Sequence, residues 1–332
     1  MRKLILILPL LFFLSCDDEN TTPREEIILN IPSHFPDISI PEDNKLTPER
    51  IELGRKLFFS NILSRDNSLS CASCHNPEIA FANHNKTTPG IENRSGTRNV
   101  PSIFNMVFFD TFLKEGAVHT LEQQVLVPVQ EHNEFDNDWT TILNKLNSNK
   151  EFLDLLKKAK YIFPGETKIM EKYQVYSVIR PISAYERTLL STNSKYDKYL
   201  QKKEQLNIEE ETGKRLFFSD SLSCSKCHSG VLFTDVSFYN NGLYEEYKDV
   251  GRNRFTNDTK DIGKFKVPSL RNVEITYPYM FDGSLATLDD VINHYESGGT
   301  NHPNKSPLIK GFKLTPNEKE CLKKFLYTLS DY

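Results

Sequence analysis

The sequence predicts a mainly α-helical chain built from two related domains. Its 332 residues correspond to about two average domains. Signals for helix starts recur along the chain, whereas segments with the strict alternation of a half-buried strand are few. Residues 54–75 and 213–228 also repeat the same short motifs in the same order, which indicates a duplicated unit and therefore a duplicated site.

The overall composition excludes one class of partner. Hydrophobic residues make up 38% of the chain and charged residues 26%, which is ordinary for a globular protein. The formal net charge is −4. A nucleic-acid-binding domain is expected to carry a strongly basic face, so we expect no nucleic-acid partner.

Residues 1–15 are predicted to be a lipoprotein signal peptide rather than part of the fold. Met1–Lys3 is basic, and Leu4–Leu14 is an apolar run shorter than the ~20 residues that a spanning helix needs. Phe13–Cys16 resembles a bacterial lipobox, although its first residue departs from the usual aliphatic one. We expect a mature chain that begins at lipidated Cys16 and is anchored to a membrane without spanning it. The alternative is an ordinary signal peptide followed by a chance cysteine.

Two Cys-x-x-Cys-His groups carry the chemistry of the repeat. They comprise Cys71, Cys74 and His75 in the first copy, and Cys224, Cys227 and His228 in the second. In such a group both thiols form thioether bonds to the vinyl groups of a haem, and the histidine ligates the iron. A zinc site or a redox-active cysteine pair is the alternative, but both copies follow the same Leu-Phe-Phe-Ser lead. The repetition therefore predicts two cytochrome c-like domains, each around one covalently bound c-type haem.

The domain boundaries follow from these groups and from composition. Residues 16–43 contain several prolines and no sustained periodicity, so they are predicted to form a tether. Residues 44–203 would then hold the first haem and residues 204–332 the second.

Three helical stretches frame the motifs. One is predicted to begin after Thr47, in the favoured order of a capping threonine followed by proline. A second occupies Tyr173–Leu200, and a third runs from the capping residue Thr315 to about Leu329. Cys321 lies in the last of these helices and is expected to be a packed thiol.

The ligand opposite each histidine decides what a haem can do, and Tyr295 is a candidate in the second domain. Thr287 and Asp290 form a capping-box pattern at the start of a helix that places Tyr295 on its apolar face. His294 lies on a different face, with Asp290. A buried aromatic without a ligand role is the alternative for Tyr295, and Met280 is the rival ligand.

A polar loop supplies candidates for the first domain. A helix beginning after Thr120 is expected to end near Pro128, which leaves Glu131, His132 and Glu134 on a loop. Cleavage of a peroxide needs a base that moves a proton between the two oxygens, with donors that stabilise the leaving hydroxide. A carboxylate with a nearby amide could do this, although a solvated acidic loop is the simpler interpretation of this segment alone.

Taken together, the residues resemble the bacterial di-haem cytochrome c peroxidase family, including its MauG-like branch. The resemblance covers Thr47 to Leu329 and includes both Cys-x-x-Cys-His groups. The other motifs are Arg98–Ser102, Leu121–Gln124 with Pro128 and Glu134, Ala184–Leu189, Val267–Val273, and Tyr277–Tyr279 with Asp282 and Gly283.

The resemblance implies roles for the matching positions. His75 would hold a peroxidatic haem, with Gln124, Pro128 and Glu134 as the catalytic residues of its distal side, and His228 would hold an electron-transfer haem. The side chain of Asn99 and the carbonyl oxygens of Thr276 and Pro278 would bind a calcium ion, which prefers oxygen ligands.

Two departures concern the iron ligands. Classical members of the family have methionine where this chain has Tyr295, whereas MauG-like members have tyrosine, which should lower the potential of that haem. Members that need reductive activation carry a displaceable histidine at the position of Ile91. His84 is nearby but out of register, so the resemblance implies a first haem that is open without prior reduction.

A third departure concerns the route between the haems. The family usually has a tryptophan where this chain has Lys114, and lysine cannot act as a redox stepping stone. Electrons would pass directly or through another aromatic residue such as Phe112, or transfer would be slow. Trp139 is the only tryptophan and lies elsewhere in the motif order.

The resemblance implies an oxidoreductase of the cytochrome c peroxidase type. It would reduce hydrogen peroxide to water with electrons from a small redox protein, such as a cytochrome c or a cupredoxin. The alternatives are a MauG-like oxidase of a partner protein or organic substrate, and a non-catalytic electron carrier. We expect a periplasmic or cell-surface lipoprotein, and the family pattern is compatible with a homodimer.

Overall fold

A computed structural model describes residues 25–162, 164–169 and 174–331. The predicted signal peptide and the lipidation site at Cys16 lie outside the described residues. No helix within those ranges is long and apolar enough to cross a membrane.

The described chain is mainly helical, as the sequence predicts. In the first half the helices are α1 (Pro48–Phe59), α2 (Cys71–Cys74), α3 (Leu121–Gln130), α4 (Trp139–Asn147), α5 (Lys150–Lys158) and α6 (Tyr176–Arg187). In the second half they are α7 (Lys195–Leu200), α8 (Ile208–Phe217), α9 (Cys224–Cys227), α10 (Asn253–Thr256), α11 (Leu288–Ser297) and α12 (Pro316–Tyr327). Strands β1 (Phe238–Tyr239) and β2 (Phe265–Lys266) form a short antiparallel pair.

Each half is built around one closely packed pair of helices. In the first half α1 crosses α6 at Gly54, where a Cβ would lie 1.8 Å from the carbonyl oxygen of Pro181. In the second half α8 crosses α12 at Gly213, where a Cβ would lie 1.9 Å from the carbonyl oxygen of Cys321. The thiol-bearing residue Cys321 is only 3% exposed, which confirms the prediction that it is packed. The sequence repeat is therefore a structural repeat.

Helix starts agree with the sequence better than helix ends do. Thr47, Thr287 and Thr315 cap their helices through side-chain oxygens, as predicted. The helix expected to end near Pro128 instead continues to Gln130. A proline in the last turn removes only one hydrogen bond of the helix, so the turn can close behind it.

The predicted helical stretch Tyr173–Leu200 is wrong as one element, because α6 and α7 are separate. Tyr173 itself lies outside the described residues. The side chain of Asn105 bonds both backbone groups of Ser191, with N–O distances of 2.9 Å. Ser194 then caps α7 in a capping box with Asp197. These contacts draw the chain out of the helix between its two parts.

The described part of the predicted tether packs against the folded body around His34 and Phe35. Phe35 is 7% exposed, with its ring 5.4 Å from that of Phe108 and 4.6 Å from the guanidinium of Arg271. The ring nitrogen Nε2 of His34 lies 3.1 Å from a carboxylate oxygen of Asp197. This segment thus joins the first half to the second.

Candidate functional site

The two Cys-x-x-Cys-His groups adopt the same local structure. In each, one short helical turn (α2 or α9) separates the cysteines by three residues, and the histidine follows directly. Residues three apart on a helix lie on the same side, so both thiols face the same region. The Nδ1 atom of His75 lies 2.9 Å from the carbonyl oxygen of Phe81, and Nδ1 of His228 lies 3.1 Å from that of Phe233. A hydrogen bond from Nδ1 leaves Nε2 available to ligate iron.

A second pair of hydrogen bonds fixes the loop behind each histidine. The hydroxyl of Ser102 donates to the carbonyl oxygen of Ala80 over 2.6 Å, and that of Ser269 donates to the carbonyl oxygen of Leu232 over 2.6 Å. Both serines follow the repeated Val-Pro dipeptide. The duplicated motifs therefore hold duplicated histidine loops.

Burial disfavours ionisation of all four thiols of these groups. Burial is the largest cause that raises the pKa of Cys74 and Cys227 to about 11 and of Cys224 to about 12, and it raises the pKa of Cys71 further. All four are free of disulfide bonds. No group of three or more His, Cys, Asp or Glu side chains in the described ranges could hold a metal ion. The residues fit two thioether-bound haems and do not fit the zinc alternative.

The distal candidates of the first half lie on α3 and on the loop that follows it. Gln124 lies on α3, and its Oε1 atom is buried without a hydrogen-bond partner among the described residues. A buried polar atom without a partner requires an explanation, and a bound ligand that contacts it is one. The loop of Glu134 is held by two backbone hydrogen bonds, from Ile91 N to Glu134 O over 3.0 Å and from Phe135 N to Pro128 O over 3.1 Å.

The pKa of Glu134 is raised by its surroundings. Burial, followed by the charge of Glu131, raises its pKa to about 7. Part of the Glu134 residue is exposed to solvent. The surrounding protein nevertheless removes enough water from its carboxyl group to raise the pKa. Burial is the largest cause of the raised pKa of Cys74, and the charge of Glu134 is the second. The structure thus brings Glu134 close to the first cysteine pair.

In the second half, Tyr295 faces the second cysteine pair. Its side chain lines a cleft together with Leu222, Ser223 and Phe312. Burial raises the pKa of Tyr295 to about 12, against a hydrogen bond from the side chain of Asn241 that lowers it, and Cys224 is among the charges that act on it.

Asn241 organises the candidate ligands of the second half and was missed by sequence reasoning. Its Nδ2 atom lies 3.2 Å from the sulfur of Met280, and its carbonyl oxygen lies 3.1 Å from Nε2 of His294. Tyr295 therefore shares one hydrogen-bonding residue with its rival, Met280. No motif surrounds Asn241 in the sequence, so nothing local marked it.

Asn99, one of the predicted calcium ligands, bonds to the segment that follows the other two. Asn99 is 7% exposed, and its backbone N–H donates to the carbonyl oxygen of Phe281 over 2.9 Å. Its side-chain nitrogen donates to the carbonyl oxygen of Asn85 over 3.0 Å. Phe281 follows closely after Thr276 and the cis peptide Tyr277–Pro278. Asn99 is thus held against the segment that carries the other two predicted ligands.

Lys114 lies at the junction of the halves. Its carbonyl oxygen accepts a 2.7 Å hydrogen bond from the backbone of Lys266, and its ammonium bonds to no residue in the described ranges. Burial, followed by the charge of Arg98, lowers the pKa of Lys114 to about 8. Phe112 is 3% exposed and its ring lies 5.9 Å from the ammonium of Lys266. An aromatic ring is therefore present at the junction despite the missing tryptophan, whereas Trp139 lies in α4.

Two further sequence predictions concern the histidine that reductive activation would need. Ile91 is fully buried. His84 stacks on Tyr277 with ring centroids 3.9 Å apart, and its Nε2 lies 3.1 Å from the carbonyl oxygen of Ile275. His84 is thus engaged by the second half.

Comparison with known proteins identifies the family of this chain. A family described as di-haem cytochrome c peroxidase matches residues 48–205. The chain is 32% identical to the methylamine utilization protein MauG of Methylorubrum extorquens over 87% of this chain and 80% of that protein. It is 29% identical to the cytochrome c551 peroxidase of Pseudomonas aeruginosa over 86% of this chain and 80% of that protein.

Solved structures show the same relationship. The crystal structure of a MauG-like protein associated with microbial copper homeostasis superposes with a TM-score of 0.84 and 33% identity, over 91% of this chain and 95% of that one. The predictions of the family and of an oxidoreductase of the cytochrome c peroxidase type are confirmed at this level. The chain belongs to the di-haem cytochrome c peroxidase family.

Proposed function

We propose that this chain is an exported di-haem peroxidase that reduces hydrogen peroxide to water with electrons from a small redox protein, such as a cytochrome c or a cupredoxin. One observation carries the proposal. In the first half the charge of Glu134 acts on a cysteine pair whose histidine has its Nδ1 atom already engaged, and Gln124 on α3 has a buried oxygen without a partner among the described residues. A carrier protein would have no use for that polar pocket.

The residues divide the work of peroxide cleavage. Cys71, Cys74 and His75 would hold the first haem, which when bound supplies an iron that exchanges electrons with peroxide. Glu134 accepts a proton from one peroxide oxygen and returns it to the other, while Gln124 orients the substrate. Pro128 limits the space beside them.

The second half would hold the haem that receives electrons from the donor. Cys224, Cys227 and His228 would attach it, and Tyr295 would ligate its iron. A phenolate oxygen stabilises ferric iron more than a thioether does, so Tyr295 as a ligand would lower the potential of that haem. This feature supports the second candidate, a MauG-like oxidase that uses peroxide to modify a partner protein or organic substrate.

Two further features complete the proposal. A calcium ion bound by Asn99, Thr276 and Pro278 would join the halves. Lipidation at Cys16 would anchor the protein in the periplasm or at the cell surface.

The test starts from the exported holoprotein with its haem content measured by mass spectrometry. Addition of stoichiometric peroxide to the fully oxidised protein should change the spectrum of the first haem without prior reduction. Steady-state turnover with a reduced cytochrome then separates the peroxidase from the oxidase. A protein without two covalent haems, or one inert to peroxide in every redox state, would contradict the proposal.

The ligand assignment has its own test in Tyr295→Met. Methionine should raise the potential of the second haem and change its spectrum, while the first haem keeps its own. Met280→Leu is the matched control, because it removes the rival sulfur. An unaltered second spectrum in Tyr295→Met would show that Tyr295 is not the ligand.

A further inference from the structure

Glu186, on α6, is a buried acidic residue of the first half whose carboxyl group is incompletely hydrogen-bonded. Glu186 is only 5% exposed, and its Oε2 atom is buried with no hydrogen-bond partner in the described part of the chain. Leaving a buried carboxyl oxygen unpaired is destabilising. A buried side chain that destabilises the fold and makes no compensating contact is a candidate for a functional role.

The adjacent arginine does not satisfy Glu186. Arg187 forms two hydrogen bonds to the carboxylate of Glu122, with distances of 2.7 and 3.0 Å. Glu122 is in addition bonded by Ser183 over 2.9 Å. The positive charge next to Glu186 is thus committed to another acid.

Glu186 lies beside the first cysteine pair. After burial, its charge is the largest cause that raises the pKa of Cys71, ahead of Cys74. The charges of Glu122 on α3 and Arg187 on α6 act on the pKa of Glu186. The charge of Glu186 in turn acts on the pKa values of Cys71 on α2 and Tyr185 on α6. Burial, opposed by Arg187 and reinforced by Glu122, raises the pKa of Glu186 to about 8.

The structural repeat shows that the fold does not require an acid here. Gly54 contacts Pro181 and Tyr185 as Gly213 contacts Cys321 and Phe325, so α6 and α12 correspond with a fixed offset. The equivalent of Glu186 is then Leu326. Leu326 is 7% exposed and belongs to the apolar core against which Cys224 packs.

We propose that Glu186 is a positioning residue of the first haem site, which holds a proton beside Cys71 and releases it when the first haem is oxidised. The inference rests on the proposed function, because it assumes a haem at Cys71, Cys74 and His75. Each one-electron oxidation releases one proton from Glu186 to solvent, and each reduction takes one up. No bond to iron is made or broken by Glu186. Leu326 has no titratable group, so the equivalent position of the second half cannot couple a proton to oxidation of the second haem.

The test is a redox titration of the holoprotein at a series of pH values. Reduced iron favours the protonated acid, so the potential of the first haem should fall as the pH rises through the range in which Glu186 titrates. A tenfold difference in proton affinity between the two redox states corresponds to about 59 mV. Glu186→Gln and Glu186→Leu should both lose this part of the pH dependence, and the second haem should be unchanged in the same molecules.

Infrared difference spectra give a second readout that is independent of turnover. The reduced-minus-oxidised spectrum should contain the C=O band of a protonated carboxylic acid, which Glu186→Gln removes. Glu134→Gln should keep that band, which separates the two acids. Glu78→Gln is the matched control, because Glu78 is exposed and lies just after the first motif.

The outcomes are distinguishable. If both Glu186 variants carry two haems and keep the wild-type pH dependence and the carboxylic acid band, the inference is wrong. If the wild-type protein carries no haem on Cys71 and Cys74, the proposed function fails instead. Should Glu186→Leu fold poorly, Glu186→Gln decides, because it preserves the size and shape of the side chain.

Discussion

The two halves of this chain share the same backbone framework around their Cys-x-x-Cys-His groups. They differ in the side chains that lie near those groups. Both halves cross two helices at a glycine, and both hold a histidine through its Nδ1 atom to a nearby carbonyl oxygen. The hydroxyls of Ser102 and Ser269 even make hydrogen bonds of the same length. The duplicated parts therefore explain how a cofactor is held but not what it does.

The differences are few and chemical. The first half adds Glu134 and Glu186, whose charges act on its cysteine pair, and Gln124, whose Oε1 atom is buried without a partner among the described residues. The second half offers Tyr295 to its cysteine pair and fills the position equivalent to Glu186 with Leu326. A polar first site suits proton transfer, whereas the tyrosine ligand proposed for the second site suits electron transfer.

The largest expected effect comes from removing the base of the first half. Glu134→Gln should lower the rate of the peroxide reaction about 10²–10⁴-fold, which is the usual contribution of a general base. Since only the carboxylate accepts a proton, the wild-type rate should rise as the pH increases through about 7. That rise should be absent in the variant, as measured by stopped-flow spectroscopy.

Glu131→Gln is the matched control for this prediction. Glu131 is exposed, and its charge is the second cause that raises the pKa of Glu134. The control should keep the reaction and move its pH profile to lower pH. A Glu134→Gln protein with the wild-type rate would remove the chemical contrast between the halves.

The next effect concerns the buried ion pair of each half. Arg271 bonds Asp197 over 2.7 and 2.8 Å, with side chains 2% and 0% exposed. Arg271→Met leaves a buried carboxylate uncompensated and should lower the free energy of unfolding by about 3–5 kcal/mol. Arg187→Met should cost less, because the side chain of Glu122 is 16% exposed and water can reach it.

Chemical denaturation of the holoproteins measures both variants. Burial alone would raise the pKa of Asp197, but the bonds from Arg271 outweigh it and lower the pKa. The contribution of the pair is therefore present above the pKa of the unfolded acid and is lost as the pH falls through the lowered value. A larger loss in Arg187→Met than in Arg271→Met would reverse the predicted ranking.

Local signals in the sequence predicted those parts of the molecule that depend on neighbouring residues. The capping threonines and both Cys-x-x-Cys-His groups act through contacts within a few positions, so their patterns were sufficient. The break between α6 and α7 depends on Asn105, which bonds Ser191 from 86 positions away. No local pattern could show that contact.

The same reasoning explains what was missed around the sites. The packing of Phe35 on Arg271 and the link from His34 to Asp197 join segments more than 150 residues apart. Glu186 belongs to a motif that the resemblance contained, but its burial and unpartnered oxygen appear only once α6 is placed. Motifs identified the chemistry, and tertiary contacts determined which polar groups lack partners.

The smallest expected effect tests whether the scaffold is equivalent in the two halves. Alanine is favoured over glycine in a helix by about 1 kcal/mol, so Gly54→Ala and Gly213→Ala would be stabilising on propensity alone. Each new Cβ would instead lie within 2 Å of a backbone oxygen of the facing helix, at Pro181 or Cys321. Backbone cannot rotate away as a side chain can, so each helix pair must separate. We expect each variant to lose about 1–3 kcal/mol of unfolding free energy.

Gly96→Ala is the control for these two variants, because its Cβ would meet nothing within 4 Å. Calorimetry or denaturant unfolding should show similar losses for Gly54→Ala and Gly213→Ala and little change for the control. A tolerated alanine in one half would mean that its helices can separate without cost. The two halves would then differ in their packing as well as in the chemistry of their sites, and the duplicated scaffold could no longer be treated as a constant between them.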